Sequence, residues 1–276
     1  MWPGELRKSA TSACLMSHFR PWPYARVLAH RGGGALAPEN TLAAIDVGRA
    51  HGYRAVEFDA MLSHDDVAVL IHDPTLERTT NGRGAVATTT AARLAQLDAG
   101  GWYSPRFRGE PLPTLAAAID HCRAHDIWIN LEIKPAPGHE TRTGTVVART
   151  TAHRYAGLLR AGGDRADAVE PRVPLLSSFE YAALAEARSA APEIPRGYLL
   201  DRVPDDWRAQ LQSLGAVSLH TNHAHLTAEL ARAIKGAGYW LFCYTVNTPA
   251  RARELFDWEV DAFCTDRIDL ISADFH

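Results

Sequence analysis

AVEFDAML, residues 55–62, has the apolar texture of a strand buried inside a globular protein, yet it carries two acids, Glu57 and Asp59. Alternate residues of an extended strand share a face, so the two carboxylates project one way while Val56 and Phe58 occupy the other. Two unpaired carboxylates in such a strand would repel each other and lose hydration. Either cationic side chains converge on them or a metal ion sits between them.

Working outward, short apolar runs recur at 26–30 (RVLAH), 55–61, 127–134 (IWINLEIK), 173–179 (VPLLSSF), 196–200 (RGYLL), 216–222 (AVSLHTN), 239–247 (YWLFCYTVN) and 260–266 (VDAFCTD). Alanine-rich amphipathic stretches fall between them: from 38 (PENTLAAIDVGRAHG), from 112 (LPTLAAAIDHCRAHD), at 142–162, 180–191, 205–214, 226–237 and 249–257, and a last one after 266. Pro38 with Glu39, and Thr248 with Pro249, read as helix starts. Eight strand and helix pairs in about 250 residues predict an α/β fold of the TIM (β/α)8 type, with an open doubly wound sheet as the alternative. The echo of TLAAID (from 41) in TLAAAID (from 114) fits repeated βα units or mere alanine-rich composition. Residues 63–113 interrupt the alternation with about fifty residues, far more than a usual βα loop, and read as an insertion on the face where such barrels carry their sites. The barrel is assigned to 26–276, and residues 1–25 are read as an extension outside it.

Composition narrows the partners. A net charge of −3 argues against nucleic acid, so an anionic ligand must meet a local cluster of cations. Four cysteines, Cys14, Cys122, Cys243 and Cys264, lack paired or zinc-type spacing and read as reduced thiols. SATSACLM is too short and polar for the core of a signal peptide, and no apolar run reaches the ~18 residues of a membrane helix. A cytoplasmic protein without a membrane anchor is expected; Met16 is an alternative start of translation.

Polar residues gather at the strand ends. The first run closes in His30-Arg31, followed by Gly32, Gly33 and Gly34, which let backbone approach a ligand. NLEIKP puts Glu132 and Lys134 on one face, adding a third carboxylate to Glu57 and Asp59. A site of three carboxylates suits Mg²⁺ or Ca²⁺ better than Zn²⁺, although Arg31 and Lys134 would also neutralise it without a metal. His72 opens the insertion.

AHRGGGALAPENTLAAI, AVEFDAML, VLIHDPTLERTTNGRG, NLEIKP, SSF, YTVN and CTD, in that order and spacing, resemble the glycerophosphodiester phosphodiesterase family across residues 26–266. The resemblance implies a TIM barrel with a small insertion, one divalent metal ion (Mg²⁺ or Ca²⁺, with Mn²⁺ also suitable), and cleavage of glycerophosphodiesters to glycerol 3-phosphate and an alcohol. It implies His30 and His72 as the acid/base pair, Glu57, Asp59 and Glu132 as metal ligands, and Arg31 and Lys134 as phosphate contacts. Tyr244 stands where the family often has Trp and is assigned to the glycerol or alcohol end of the substrate; the closing T-D-R-P of the family reads TDRI here. Glu39 and Asn40 are candidates to buttress the first loop, and Ser177 or Ser178 and His220 to face the site. The rival functions are a metal-dependent aldolase or isomerase barrel, an inert phosphodiester-binding barrel, and a phosphodiesterase acting on lysophospholipids.

Overall fold

In the computed structural model, which describes residues 21–161 and 170–276, each of the eight apolar runs forms a strand. The elements in chain order are β1 (Val27–Ala29), α1 (Leu42–Ala50), β2 (Ala55–Leu62), β3 (Ala68–Leu70), α2 (Ala91–Leu94), α3 (Leu115–Ala124), β4 (Trp128–Ile133), α4 (Glu140–Ala161), β5 (Leu175–Ser178), α5 (Tyr181–Ala190), β6 (Arg196–Leu200), α6 (Trp207–Leu214), β7 (Ser218–Asn222), α7 (Ala228–Gly236), β8 (Trp240–Tyr244), α8 (Pro249–Asp257) and β9 (Ala262–Thr265). β1 pairs in parallel with both β9 and β2, which closes β1, β2 and β4 to β9 into an eight-stranded barrel. That closure excludes the open sheet.

The period of two in each strand sorts the core into two layers. Val56, Phe58 and Ala60 of β2, with Leu131 and Ile133 of β4, point outward and pack beneath the helices against residues such as Ile45, Leu115 and Ile119. Leu28, Ala55, Trp128, Leu175, Trp240, Phe242 and Cys264 fill the inside. The lower end is stoppered from upstream of the expected boundary: Trp22 packs 5.8 Å from Trp128 and 5.3 Å from Trp240, and Tyr24 stacks on Trp128 at 3.9 Å. The fold therefore takes in residues assigned to the extension, because aromatic area was available to close an otherwise open barrel end. Residues 1–20, with Cys14 and Met16, lie outside the described residues.

The inserted segment carries β3, which pairs antiparallel with the end of β2 from Ala60 to Leu62, beyond the ring. Its Val69, Ile71, Leu76, Val86, Leu94 and Leu97 form a second small core together with Met61 of β2 and Ala136 beyond β4. Two expectations are corrected. The first helix begins at Leu42 and not at Pro38, because Asn40 sits at φ 59, outside helical space, and Thr41 is the cap, its hydroxyl accepting from the amide of Ala44. Thr114 caps α3 in the same way, so the echoed TLAA segments share a capping role. After 266 no helix forms among the described residues; turns carry the chain back so that Ile268 and Ile271 are buried, and the Tyr53 hydroxyl donates to the Ile271 carbonyl.

Replacing the partly buried Trp22 with alanine is expected to cost about 2–3 kcal/mol of stability, a fall of roughly 5–10 °C in Tm when unfolding is followed by circular dichroism. A wild-type Tm would show that the indole adds nothing to the barrel floor.

Candidate active site

β2 rises through the barrel with Ala55 in the apolar interior and Glu57 and Asp59 above it, and β4 sets Glu132 directly beside Asp59 in register. All three carboxylates are buried, and each offers an oxygen within 4.8 Å of the others. The surrounding groups hold them in place. Lys134 Nζ donates to Glu132 at 2.9 Å and lies 3.9 Å from Asp59. Arg31 Nε lies 3.6 Å from Asp59, and the Arg31 amide donates to Glu57 at 3.2 Å. The buried Asn40 side chain donates to Asp59 at 2.9 Å and accepts from the Asp59 amide at 3.0 Å.

The charges do not balance. Burial, then the Asp59 charge, pushes the Glu57 carboxyl up to about 7 and the Glu132 carboxyl up to about 8. Asp59 is also penalised by burial, but Arg31, His72 and Lys134 outweigh this and hold it below its usual range. Three converging carboxylates with two fixed guanidinium or ammonium partners leave room for further positive charge. A hard divalent cation fits this oxygen donor set.

Each histidine has a carboxylate behind its ring. His30 follows β1, and its Nδ1 is 2.6 Å from Asp266, which follows β9; the other Asp266 oxygen accepts from Asn247 at 3.0 Å. With Nδ1 held in this way, Nε2 turns inward, 3.7 Å from Glu57. His72 follows β3, and its Nδ1 is 2.7 Å from Asp73. Desolvation acts to lower both imidazoles; Asp266 and Glu57 reverse it for His30, whose pKa is raised, whereas His72 stays lowered.

Tyr244, at the end of β8, meets Phe179 edge-on at 5.6 Å, and Lys134 Nζ lies 5.4 Å from the centre of the Phe179 ring. This places an aromatic wall beside the cationic side of the carboxylate cluster. A cavity of about 600 Å³ opens on the other side, lined by His30, Arg31, Glu39, Trp102, Tyr103 and Asp266 among others. The structure thus brings His30, Arg31, Glu57, Asp59, His72, Glu132, Lys134 and Tyr244 to one barrel mouth. The secondary candidates divide. Glu39 and Asn40 do buttress the loop. Ser178 instead ties strand ends together, donating to the Ile133 carbonyl at 2.6 Å. Ser177 is inward but buried, and His220 lies inside the barrel, stacked on Phe242 at 4.6 Å. The glycines let the chain pack closely on itself: a Cβ on Gly34, at φ 54, would stand 2.3 Å from the Asp266 carbonyl oxygen, and Gly34 also lines the cavity.

Residues 30–270 match the model of the glycerophosphoryl diester phosphodiesterase family. The chain belongs to that family. It is 31% identical over 245 residues to a glycerophosphodiester phosphodiesterase of Caldanaerobacter subterraneus subsp. tengcongensis, covering 87% of this chain and 93% of the relative. An Oleispira antarctica phosphodiesterase, solved in complex with its product sn-glycerol-3-phosphate, is 35% identical with a TM-score of 0.76, covering 87% of this chain and 92% of that one. A glycerophosphodiester phosphodiesterase from Agrobacterium tumefaciens is 29% identical with a TM-score of 0.71, covering 89% of this chain and 97% of that one. The enzyme is accordingly a phosphoric diester hydrolase on a TIM barrel, and its substrate is a small glycerophosphodiester. Asp266, Asn247, Asp73 and Arg78 are supports that the sequence pattern does not single out. For Asp266 a signal existed, since VDAFCTD places it two residues beyond the inward Cys264; Arg78 gives none, because its role depends on how the insertion folds back.

Metal-free enzyme carries a stability cost from the raised Glu132. Its folded pKa lies above the unfolded one, so the carboxyl binds its proton more tightly in the fold, and stability drains away as pH rises from about 4.5 towards 8. Glu132→Gln is expected to match wild type near pH 5 and to exceed it by a few degrees in Tm near pH 8.5, about 2–4 °C per kcal/mol. Added Mg²⁺ or Ca²⁺ should stabilise wild type more than the variant. A variant less stable than wild type at pH 8.5 without metal would contradict the assigned repulsion.

Proposed function

We propose that this enzyme hydrolyses water-soluble, deacylated glycerophosphodiesters, such as glycerophosphocholine and glycerophosphoethanolamine, to glycerol 3-phosphate and the free alcohol. The observation that carries the reading is the placement of two carboxylate-backed histidines around one carboxylate cluster flanked by Arg31 and Lys134. A phosphodiester repels nucleophiles through its charge and its alcohol is a poor leaving group as the alkoxide, so catalysis requires charge neutralisation and a proton for the departing oxygen. Glu57, Asp59 and Glu132 would hold one Mg²⁺ or Ca²⁺ ion, with Mn²⁺ a third fit, which when bound supplies Lewis-acid neutralisation of the phosphoryl oxygens. Arg31 and Lys134 bind the phosphate oxygens. Of His30 and His72, one takes the proton of the attacking hydroxyl while the other gives a proton to the alcohol oxygen as its bond to phosphorus breaks. Water and the glycerol 2-hydroxyl are the two nucleophiles this arrangement serves; the second gives a cyclic phosphate that water then opens. Tyr244 and Phe179 would bear on the carbon skeleton of the substrate.

The product carried by the Oleispira antarctica phosphodiesterase, sn-glycerol-3-phosphate, supports this reading. Among the described residues no helix is long and apolar enough to cross a membrane, and Cys122, Cys243 and Cys264 are free and buried. The free thiols fit a reducing compartment, and we propose a cytoplasmic enzyme that acts on soluble diesters ahead of lysophospholipids.

Glycerol 3-phosphate release is expected from both diesters, abolished by chelation and restored by Mg²⁺, Ca²⁺ or Mn²⁺, with slower release from lysophosphatidylcholine. His30→Ala and His72→Ala should each lower kcat by roughly 10²-fold or more. A variant with near-normal turnover would remove that histidine from the mechanism, and preference for the lysophospholipid would overturn the substrate class.

A further inference from the structure

Arg78 lies in the LERTT segment of the insertion, outside the metal-ligand and phosphate-binding sets, and its side chain is 44% exposed. An isolated pair at that exposure adds little to stability. Its geometry is nonetheless demanding. Nε and Nη2 donate to the two oxygens of Asp73 at 2.5 and 2.9 Å, while Nη1 and Nη2 donate to the two oxygens of Glu39 at 2.7 and 2.8 Å. Asp73 is the carboxylate behind His72, and Glu39 accepts from Arg31 Nη1 at 2.6 Å. A single planar fork therefore joins the support of His72, on the insertion, to the support of Arg31, on the loop after β1. The two groups reach the mouth from different parts of the chain, and other contacts between insertion and first loop, such as the Tyr103 hydroxyl donating to the Ala35 carbonyl, touch neither carboxylate.

We propose that Arg78 is a positioning residue that sets the distance and orientation of His72 relative to Arg31 by holding Asp73 and Glu39 in one bidentate clamp. The inference rests on the acid/base and phosphate-binding roles proposed above. Without the guanidinium, Asp73 and Glu39 face each other as like charges, Asp73 turns away, and the His72 ring loses the partner that fixes its tautomer. Lysine does not substitute, because a point charge with one nitrogen cannot serve two carboxylates in a plane.

The test uses Arg78→Ala and Arg78→Lys, with Arg83→Ala, an exposed arginine five residues further on, as the control. On glycerophosphocholine with Mg²⁺, Arg78→Ala is expected to lose about 10- to 100-fold in kcat with KM changed less than about 3-fold, and Arg78→Lys at least about 5-fold in kcat. Guanidinium ion at millimolar concentration should restore part of the loss in Arg78→Ala and none in His72→Ala. The ring ¹H–¹⁵N spectrum gives a readout independent of turnover: the His72 Nδ1 proton should be retained in wild type and Arg83→Ala and lost in Arg78→Ala. Unchanged kcat and an unchanged His72 signal in Arg78→Ala, or full wild-type kcat in Arg78→Lys, would overturn the clamp. A kcat loss matched by loss of folded protein and not rescued by guanidinium would do the same. An inactive wild type whose His72 signal still depends on Arg78 would sink the functional reading and leave the clamp standing.

Discussion

Three carboxylates converge at the mouth of the barrel with two fixed cations between them, and much of the surrounding architecture answers that excess of negative charge. Burying a carboxylate is costly unless it is paired and hydrogen-bonded. Asp59, the most enclosed, receives Arg31, Lys134 and both ends of the Asn40 amide, and it remains charged. Glu57 and Glu132 receive less and are pushed towards neutrality. On the proposed reading the unequal treatment has a chemical sense: one charge is locked in place, while a cation bound at the site would displace the protons of the other two carboxyls. Stability given up in the metal-free fold would then be recovered as affinity for the ion.

The barrel interior is graded to make this tolerable. At the floor, Trp22, Tyr24, Trp128 and Trp240 give a dense aromatic layer. Above it lie Asn130, Ser177 and His220, each with a buried polar atom lacking a protein partner among the described residues. Such groups call for ordered water. His220 is driven down to about 3 by burial and is therefore neutral, so it adds no charge beneath the carboxylates. Gly197 makes its space: a Cβ there would stand 2.4 Å from the His220 Nε2. A polar, uncharged middle layer separates the apolar floor from the charged mouth.

What the sequence disclosed follows from which forces are local. Strand periodicity is local, so all eight barrel strands and the shared face of Glu57 and Asp59 were legible, as was the convergence of Glu132 and Lys134. Cap geometry is less so: PENT looks like a first helical turn, yet Asn40 leaves helical space because its amide is drawn to Asp59, nineteen residues away. Trp22 and Tyr24 read as part of an N-terminal extension because nothing nearby in sequence needs them; their partners, Trp128 and Trp240, are more than a hundred residues downstream. The three glycines after His30 suggest a close approach by a ligand; a second close approach, of the chain to itself around Ala44 and Asp266, has no local sequence signal.

The two histidines show how differently one chemical requirement is met by local and remote means. Asp73 is the neighbour of His72 in sequence, so that pair needs no distant strand pairing to bring it together. Asp266 reaches His30 from 236 residues away, and it can do so only because β1 and β9 pair from Val27 with Phe263 to Ala29 with Thr265. That pairing is the one that closes the ring. The orientation of His30 thus depends on the pairing that closes the barrel, the β1–β9 seam, which brings Asp266 behind the imidazole. The seam is also where Gly34 packs on the Asp266 backbone and where Asn247 holds the second Asp266 oxygen. One histidine is therefore oriented by a neighbour in sequence and the other by a contact of very long sequence separation, the kind whose loop-closure entropy is largest.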